Sequence, residues 1–337
     1  MLPTFLFATC RFGSEPALKR EVAARYAGLL TPAFMRPQLI TWKIQGELPP
    51  DFRFGGLFAQ VAGISLGMAE SAAEVPALLS TLSQRPALLH VFPREVPEDG
   101  VPEETWARVD ALEAELTALL DLPTASAPRP AEYILDVIVG APGEPMLVGL
   151  HQYQPGEFKT AGGLSRMQLP PESPSRAWLK MEQSLIWLGV ENELKGRVVL
   201  ELGSAPGGAT LSLLNRGATV YGVDTGAMDE RVLAHPQFHH LRVSAGDLQP
   251  SMLPDQVDVL VSDINLEPRI ICQYVEKFAS RLPPLGLILT LKLNSAKVEQ
   301  ELPPLIQKVR HWAPGPVYTR QLPANRREVT LVSWAER

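Results

Sequence analysis

Val198-Val199-Leu200-Glu201-Leu202-Gly203-Ser204-Ala205-Pro206-Gly207-Gly208 is the stretch that decides the fold. It reads as a buried strand that ends in a glycine-rich turn and feeds a helix. Gly203 permits the tight turn, and Gly207 with Gly208 lets a ligand approach the backbone. A dinucleotide site would carry GxGxxG here, with a pyrophosphate at the helix N-terminus. This loop has another spacing and holds Pro206, so it suits a nucleoside with an amino-acid tail and no phosphates.

The acids that follow fit the same ligand. Asp224 comes 21 residues after Gly203, behind the strand Thr219–Val223, where an acid accepts hydrogen bonds from ribose hydroxyls. Asp247, in Ala245-Gly246-Asp247, follows the next strand and is placed to reach an adenine amino group. Asp263 ends the strand Val257–Ser262. Open α/β sheets bind ligands at the carboxyl ends of their strands, which is where all of these fall. Together they predict S-adenosylmethionine as cofactor, bound by Gly203, Ser204, Ala205, Pro206, Gly207, Gly208, Asp224, Asp247 and Asp263.

Outward from the loop, helix Ala177–Leu188 precedes it and helix Ala209–Asn215 follows. Further strands are expected at Leu287–Leu293 and Glu328–Trp334. Strands alternating with helices imply a doubly wound, Rossmann-like parallel sheet over 176–337. Before it, 156–175 reads as a basic linker. The loop-like stretch His151–Lys180 carries Lys159, Arg166, Arg176 and Lys180 against Glu157 and Glu172. A solvated linker and an RNA-contacting connector are both compatible with that composition.

The N-terminal half reads as two small α+β modules. In 1–75, strand Phe5–Cys10, helix Pro16–Leu29, strand Leu39–Ile44 and strand Phe58–Ala62 suggest a ferredoxin-like β-α-β-β order. In 76–155, strand Ala87–Phe92, helix Thr105–Leu120 and strands Tyr133–Val139 and Met146–Leu150 form a second module. Gly140-Ala141-Pro142-Gly143 turns between its last two strands.

Composition bounds the chemistry. The 337 residues include 32 prolines, about twice the usual share of about 5%, so many stiff loops are expected. Cys10 and Cys272 form no CxxC pair, and the six histidines show no ligand spacing, so no structural metal or disulfide framework is expected. His239–His240 reads as a strand edge. Met1–Phe12 is briefly apolar but has no basic n-region, and no run approaches the roughly 20 apolar residues of a membrane span. A cytoplasmic protein is therefore expected. The net charge of −6 argues against nonspecific nucleic-acid binding and leaves room for a local basic surface.

Four charged residues sit at element edges around the loop: Lys180, Asp263, Lys292 and Glu328. Lys292 lies late in Ile288-Leu289-Thr290-Leu291-Lys292-Leu293, and a lysine in so apolar a strand is costly unless it opens into a pocket or is paired. Taken singly, Lys180 and Glu328 read as ordinary surface charges or salt-bridge partners.

The order lysine, glycine loop, aspartate, lysine, glutamate resembles the FtsJ-type ribose 2′-O-methyltransferases. More narrowly it resembles the bacterial group that methylates a cytidine ribose of large-subunit (23S) ribosomal RNA. The carrying stretches are Pro174-Ser175-Arg176-Ala177-Trp178-Leu179-Lys180, Leu202–Gly208, Val223-Asp224-Thr225-Gly226-Ala227-Met228, Leu291-Lys292-Leu293, Arg320-Gln321-Leu322 and Arg327-Glu328-Val329-Thr330. Weaker likeness runs through Cys10–Gly13 and Arg36–Thr41. The resemblance implies a THUMP-containing RNA-binding N-terminal region, a catalytic tetrad of Lys180, Asp263, Lys292 and Glu328, and Lys292 as proton acceptor. It implies RNA, 23S ribosomal RNA in particular, as partner. Arg36, Lys159, Arg166, Arg176, Arg320, Arg326 and Arg327 are the candidate RNA contacts. Two positions depart from the family's pattern: Ala177 stands where a serine contacts the cofactor, and Ala205 where a cysteine is usual. The N-terminal region is also shorter.

Other readings remain open at this level. A base N-methyltransferase would typically carry Asn/Asp-Pro-Pro-Tyr/Phe where this chain has Asp263-Ile264-Asn265-Leu266. A cap ribose, another acceptor, or a noncatalytic RNA-binding assembly factor on a methyltransferase scaffold would each keep the glycine loop.

Overall fold

The computed structural model describes residues 4–49, 52–80, 82, 84–98, 100–124 and 127–335. Met1, where the apolar opening begins, lies outside them. The chain divides into two units, Met1–Ser165 and Arg166–Arg337.

The first unit contains β1 (Phe5–Cys10), α1 (Glu15–Arg25), β2 (Leu30–Arg36), β3 (Leu39–Ile44), β4 (Ala59–Ala69), α2 (Val75–Leu79), β5 (Leu88–Pro93), α3 (Glu103–Leu120), β6 (Tyr133–Val139) and β7 (Met146–Gln152). Its strands form one sheet in the order β2-β3-β1-β4-β7-β6-β5. The stretches 1–75 and 76–155 thus share a sheet, joined where β4 pairs antiparallel with β7. Only β5 and β6 pair parallel, and α3 makes the crossover that such a pair needs. Val109 and Leu116 of α3 pack on Leu89, Val91, Leu135, Val137 and Val148 of one sheet face. The other face carries Phe7, Leu39, Phe92, Ile138 and Leu147, with Ala161 and Leu164 packed against it. Strand β2 was not expected from the sequence. It holds Pro32 and is mostly exposed, both features of an edge strand.

The second unit contains α4 (Ala177–Leu188), β8 (Val198–Leu202), α5 (Gly208–Asn215), β9 (Thr219–Val223), α6 (Glu230–Leu233), β10 (Phe238–Leu241), β11 (Val259–Ser262), α7 (Pro268–Ala279), β12 (Gly286–Lys292), α8 (Ala296–Arg310), β13 (Val317–Arg320) and β14 (Glu328–Trp334). The sheet order is β10-β9-β8-β11-β12-β14-β13. β10, β9, β8, β11 and β12 run parallel. β14 and β13 add an antiparallel pair at the β12 side. This is the expected doubly wound sheet. The strands are near-continuous apolar runs because helices cover both faces. His239 and His240 lie on β10, at the sheet edge. The strand order reverses between β8 and β11, so a crevice for ligands is expected at their carboxyl ends.

Candidate active site

The glycine loop leaves β8 at that reversal. Gly203 has φ +83°, and a Cβ there would stand 2.8 Å from the Ile264 Cα, so both its conformation and its neighbour exclude a side chain. Its N–H donates to Val223 O at 2.9 Å. The Asp224 carboxylate holds the loop: Ala205 N–H donates to Oδ2 at 3.1 Å and Gly226 N–H to Oδ1 at 2.7 Å. The Ala205–Pro206 peptide is cis. Ser204 is buried with its hydroxyl donating to the Met228 sulfur at 3.6 Å, so its side chain packs into the protein. Ser175 lies against Gly208: its Oγ is 2.2 Å from where a Gly208 Cβ would be. A hydroxyl therefore touches the loop two residues before Ala177. Asp247 is exposed, accepting from Ser244 Oγ at 2.6 Å, and no bond ties it to the other acids.

Lys180, Asp263, Lys292 and Glu328 converge. β12 and β14 pair antiparallel with Lys292 directly opposite Glu328, which fixes two of the four by sheet register. Asp263 follows β11, its N–H donating to Leu202 O at 3.1 Å. Lys180 comes from the first turns of α4, which packs against α5 and β14. Glu182 anchors α4 by accepting from Ser212 Oγ at 2.7 Å and by an ion pair with Arg216.

The geometry ranks the two lysines. Lys180 Nζ is 2.6 Å from Asp263 Oδ2 and 3.0 Å from Glu328 Oε1. Lys292 Nζ is 3.1 Å from Asp263 Oδ1 and 3.8 Å from Glu328 Oε1. Two cations and two carboxylates balance, which is what lets four charges sit largely buried. Burial works to lower the Lys180 pKa, but the Asp263 and Glu328 charges outweigh it and hold the ammonium above the ordinary lysine range. Lys180 is the committed cation, and Lys292 is the more loosely held of the two.

Three residues join the site that sequence reading did not single out. Glu201, on β8, is fully buried and accepts from Thr210 Oγ1 at 2.6 Å. Burial pushes its carboxyl up to about 8; the Thr210 bond opposes this, and the charges of Asp263 and Asp224 add to it. Its signal was available, an acid in an apolar strand. Gln183, one turn beyond Lys180, accepts the Ala324 N–H at 2.8 Å. Asn325, buried, accepts from Leu322 N–H at 2.6 Å and from Thr330 Oγ1 at 3.1 Å. These bonds shape the loop that delivers Glu328.

The residues fit S-adenosylmethionine. Glu201, Asp224 and Asp263 gather carboxyl groups at the ends of β8, β9 and β11, a setting for a cationic ligand with ribose hydroxyls. The first amides of α5 have no intrahelical acceptor and can take an amino-acid carboxylate. Among the described residues, no group of three or more His, Cys, Asp or Glu could hold a metal ion. Cys10 and Cys272 are free and buried, and burial pushes the Cys272 thiol up to about 12. No described helix is long and apolar enough to cross a membrane.

Among the candidate RNA contacts, Arg36, Lys159, Arg166, Arg326 and Arg327 are exposed, while Arg176 and Arg320 are half-buried. Arg326 and Arg327 directly precede Glu328, and Leu293 N–H donates to Arg327 O at 2.7 Å, so they border the four-residue cluster. Lys180 N–H donates to Arg176 O at 3.4 Å, which puts Arg176 one turn ahead of that lysine.

Residues 174–299 match the family model described as FtsJ-like methyltransferase. The match takes in Lys180, the glycine loop, Asp224, Asp247, Asp263 and Lys292, and ends before Glu328. The ribosomal RNA large subunit methyltransferase M of Laribacter hongkongensis is 33% identical over 179 residues, covering 50% of each chain. The protein of the same name from Sodalis glossinidius is 26% identical over 310 residues, covering 88% of this chain and 78% of its own. Apart from that longer alignment, the chain spans about half the length of the first curated relatives it matches. The crystal structure of magnesium protoporphyrin IX methyltransferase from Synechocystis PCC 6803 with bound SAH is 18% identical, covering 48% of this chain and 84% of its own with a TM-score of 0.36.

Proposed function

We propose that this chain transfers a methyl group from S-adenosylmethionine to a ribose 2′-hydroxyl of RNA, with 23S ribosomal RNA as its target and the cytoplasm as its place of action. The observation that carries this reading is the four-residue cluster, in which two lysines bridge Asp263 and Glu328 beside the glycine loop. The names of the relatives support ribosomal RNA as substrate.

Bound S-adenosylmethionine supplies an electrophilic methyl group on a sulfonium. The chain has to supply a nucleophile, and a ribose hydroxyl is a poor one until its proton is taken. Lys292 is the group for that task, because its contacts are longer than those of Lys180 and its strand points it at the crevice end of the sheet. To accept the ribose proton at Nζ, Lys292 must first give up its own. Asp263 orients it through Oδ1 while Oδ2 stays with Lys180. Lys180 and Glu328 fix the ribose on the other side. Positioning of this kind supplies much of the rate enhancement in such transfers. The THUMP-like and ferredoxin-like character of the first unit belongs to the same proposal, as an RNA-holding region.

The test is transfer of tritiated methyl to large-subunit ribosomal RNA lacking the modification, with 2′-O-methyl sites mapped afterwards. Lys292→Ala should lose transfer by about 1,000-fold or more while calorimetric affinity for S-adenosylmethionine stays within about threefold. Near-normal transfer by that variant, or label on a base, would overturn the assignment.

A further inference from the structure

The first unit carries a cavity that the methyl-transfer site does not use. After β5 the chain crosses to the β2–β3 turn and is fastened there. Gln38 Nε2 donates to Val96 O at 3.3 Å, and Val96 N–H donates to Gln38 Oε1 at 3.1 Å. Beneath this crossing lies a recess enclosing about 330 Å³ of space open to solvent. Its floor is apolar, from Ile138 and Leu147.

Two features of its walls point to a ligand. The Arg36 guanidinium lies 4.5 Å above the Phe34 ring, and Arg36 Nη1 donates to Met35 O at 3.2 Å. That makes a flat, partly charged platform on an exposed edge strand. The second feature is Arg94, which is 7% exposed. Its Nη1 donates to Glu144 Oε2 at 2.6 Å, and it also pairs with Glu95, but its buried Nε has no hydrogen-bond partner. Glu144 uses the same Oε2 to accept from Ala141 N–H at 3.2 Å, which leaves Oε1 for another donor. The Arg94 bond leads in holding the Glu144 carboxyl below its ordinary range, so it is an acceptor throughout neutral pH.

An anion entering here meets Glu144, and a cation meets Arg94 and Arg36. The ligand has to be neutral and planar, with an acceptor for the Arg94 Nε–H and a donor for Glu144 Oε1. Nucleobases have this form, and they stack on aromatic rings and guanidinium planes. We infer that the recess between Phe34, Arg36, Arg94 and Glu144 is a nucleobase-binding site for an unpaired base of RNA. This rests on the RNA reading of the preceding subsection, and it places a sequence-reading contact in a different unit from the methyl transfer.

Fluorescence anisotropy on the whole protein tests it, using labelled short single strands of oligo-A, oligo-C and oligo-U and a mixed-sequence duplex, at about 100 mM KCl. Phe34→Leu should weaken single-strand binding by about 5–20-fold and leave duplex binding unchanged. Glu144→Gln should change the ranking of the three single strands. Single-strand affinity within twofold of the parent in Phe34→Leu, with circular dichroism unchanged, would overturn the site. So would a duplex that binds as tightly as the single strands. Methyl transfer to ribosomal RNA, measured on the same samples, separates the two ideas. Transfer without any dependence on Phe34 overturns the recess alone. Phe34-dependent binding without transfer supports the recess and overturns the proposed reaction. Absence of both RNA binding and transfer overturns both.

Discussion

Both units bury ionisable groups inside a seven-stranded sheet, but they place them differently. In the second unit Glu201, Asp263, Lys180, Lys292 and Glu328 collect at strand ends beside the point where the strand order reverses. In the first unit His90, Asp136 and His151 sit within strands. Asp136 is opposite His90 in the β5–β6 register, and its Oδ2 is 2.5 Å from His151 Nδ1. Burial pushes His90 down to about 4, opposed by the Asp136 charge and reinforced by that of His151. Burying charge is costly in either place. The difference lies in what the groups face. The strand-end cluster opens on a crevice, where a ligand can share the charges. The mid-strand cluster is enclosed, and His90 meets the cost by staying neutral.

Two glycines with similar backbone angles make the sharpest test of that contrast. Gly203 has φ +83° with the Ile264 backbone 2.8 Å from a would-be Cβ; Gly28 has φ +77° and nothing within 4 Å. Left-handed backbone alone costs a non-glycine residue roughly 1–2 kcal/mol. Gly28→Ala should therefore cost about 1 kcal/mol, read by urea denaturation. Gly203→Ala adds a backbone clash and should cost about 3 kcal/mol or more, with S-adenosylmethionine affinity lost as well. Equal costs would mean the glycine loop is no more constrained than an ordinary turn.

The pH dependence of stability should have opposite signs in the two units. The Glu201 pKa is raised, from an ordinary 4.5 to about 8. Between those values the folded state keeps a proton that the unfolded chain has released, so this contribution falls as pH rises through the window. Glu201→Gln retains the acceptor for Thr210 and removes the titration. The variant should gain on the order of 2 kcal/mol over the parent at alkaline pH, shrinking toward acid. His90 is lowered, from 6.5 to about 4, so its contribution is lost as pH falls through that range. His90→Leu should flatten the acid limb. Hydrogen exchange resolved by unit reads both effects. Slopes of the same sign in the two units would break the comparison.

The sequence was most readable where a strand is apolar along its whole length and bounded by turn residues. Tyr133–Val139, Val198–Leu202, Thr219–Val223 and Glu328–Trp334 have those limits in the structure, as does helix Ala177–Leu188. Reading failed where local signals oppose the fold. β2 contains a proline, and β13 is four residues long in a proline-rich stretch. α8 runs through Pro303–Pro304, where a helix would be expected to stop. At the site, Lys292 was legible as a cation in an apolar strand, and Glu201 carries the same signal with the opposite charge. Lys180 and Glu328 have no such mark, since their burial comes from α4 meeting β14, which sequence spacing does not encode.

The smallest expected effect concerns the link between those two elements. Gln183 lies three residues after Lys180, on the same face of α4, and its side chain accepts the Ala324 N–H of the loop leading to Glu328. A single buried hydrogen bond contributes about 1 kcal/mol, so Gln183→Ala should lower stability by about that much. Catalysis should respond more than stability, because the bond holds the Lys180–Glu328 separation of 3.0 Å. On the proposed reaction, kcat should fall about tenfold with KM for RNA little changed. Gln183→Glu retains an acceptor for the same N–H and should recover most of the loss. A fall in stability with kcat intact would mean that Gln183 braces the fold without setting the cluster, and that the strand-end charges hold their own geometry.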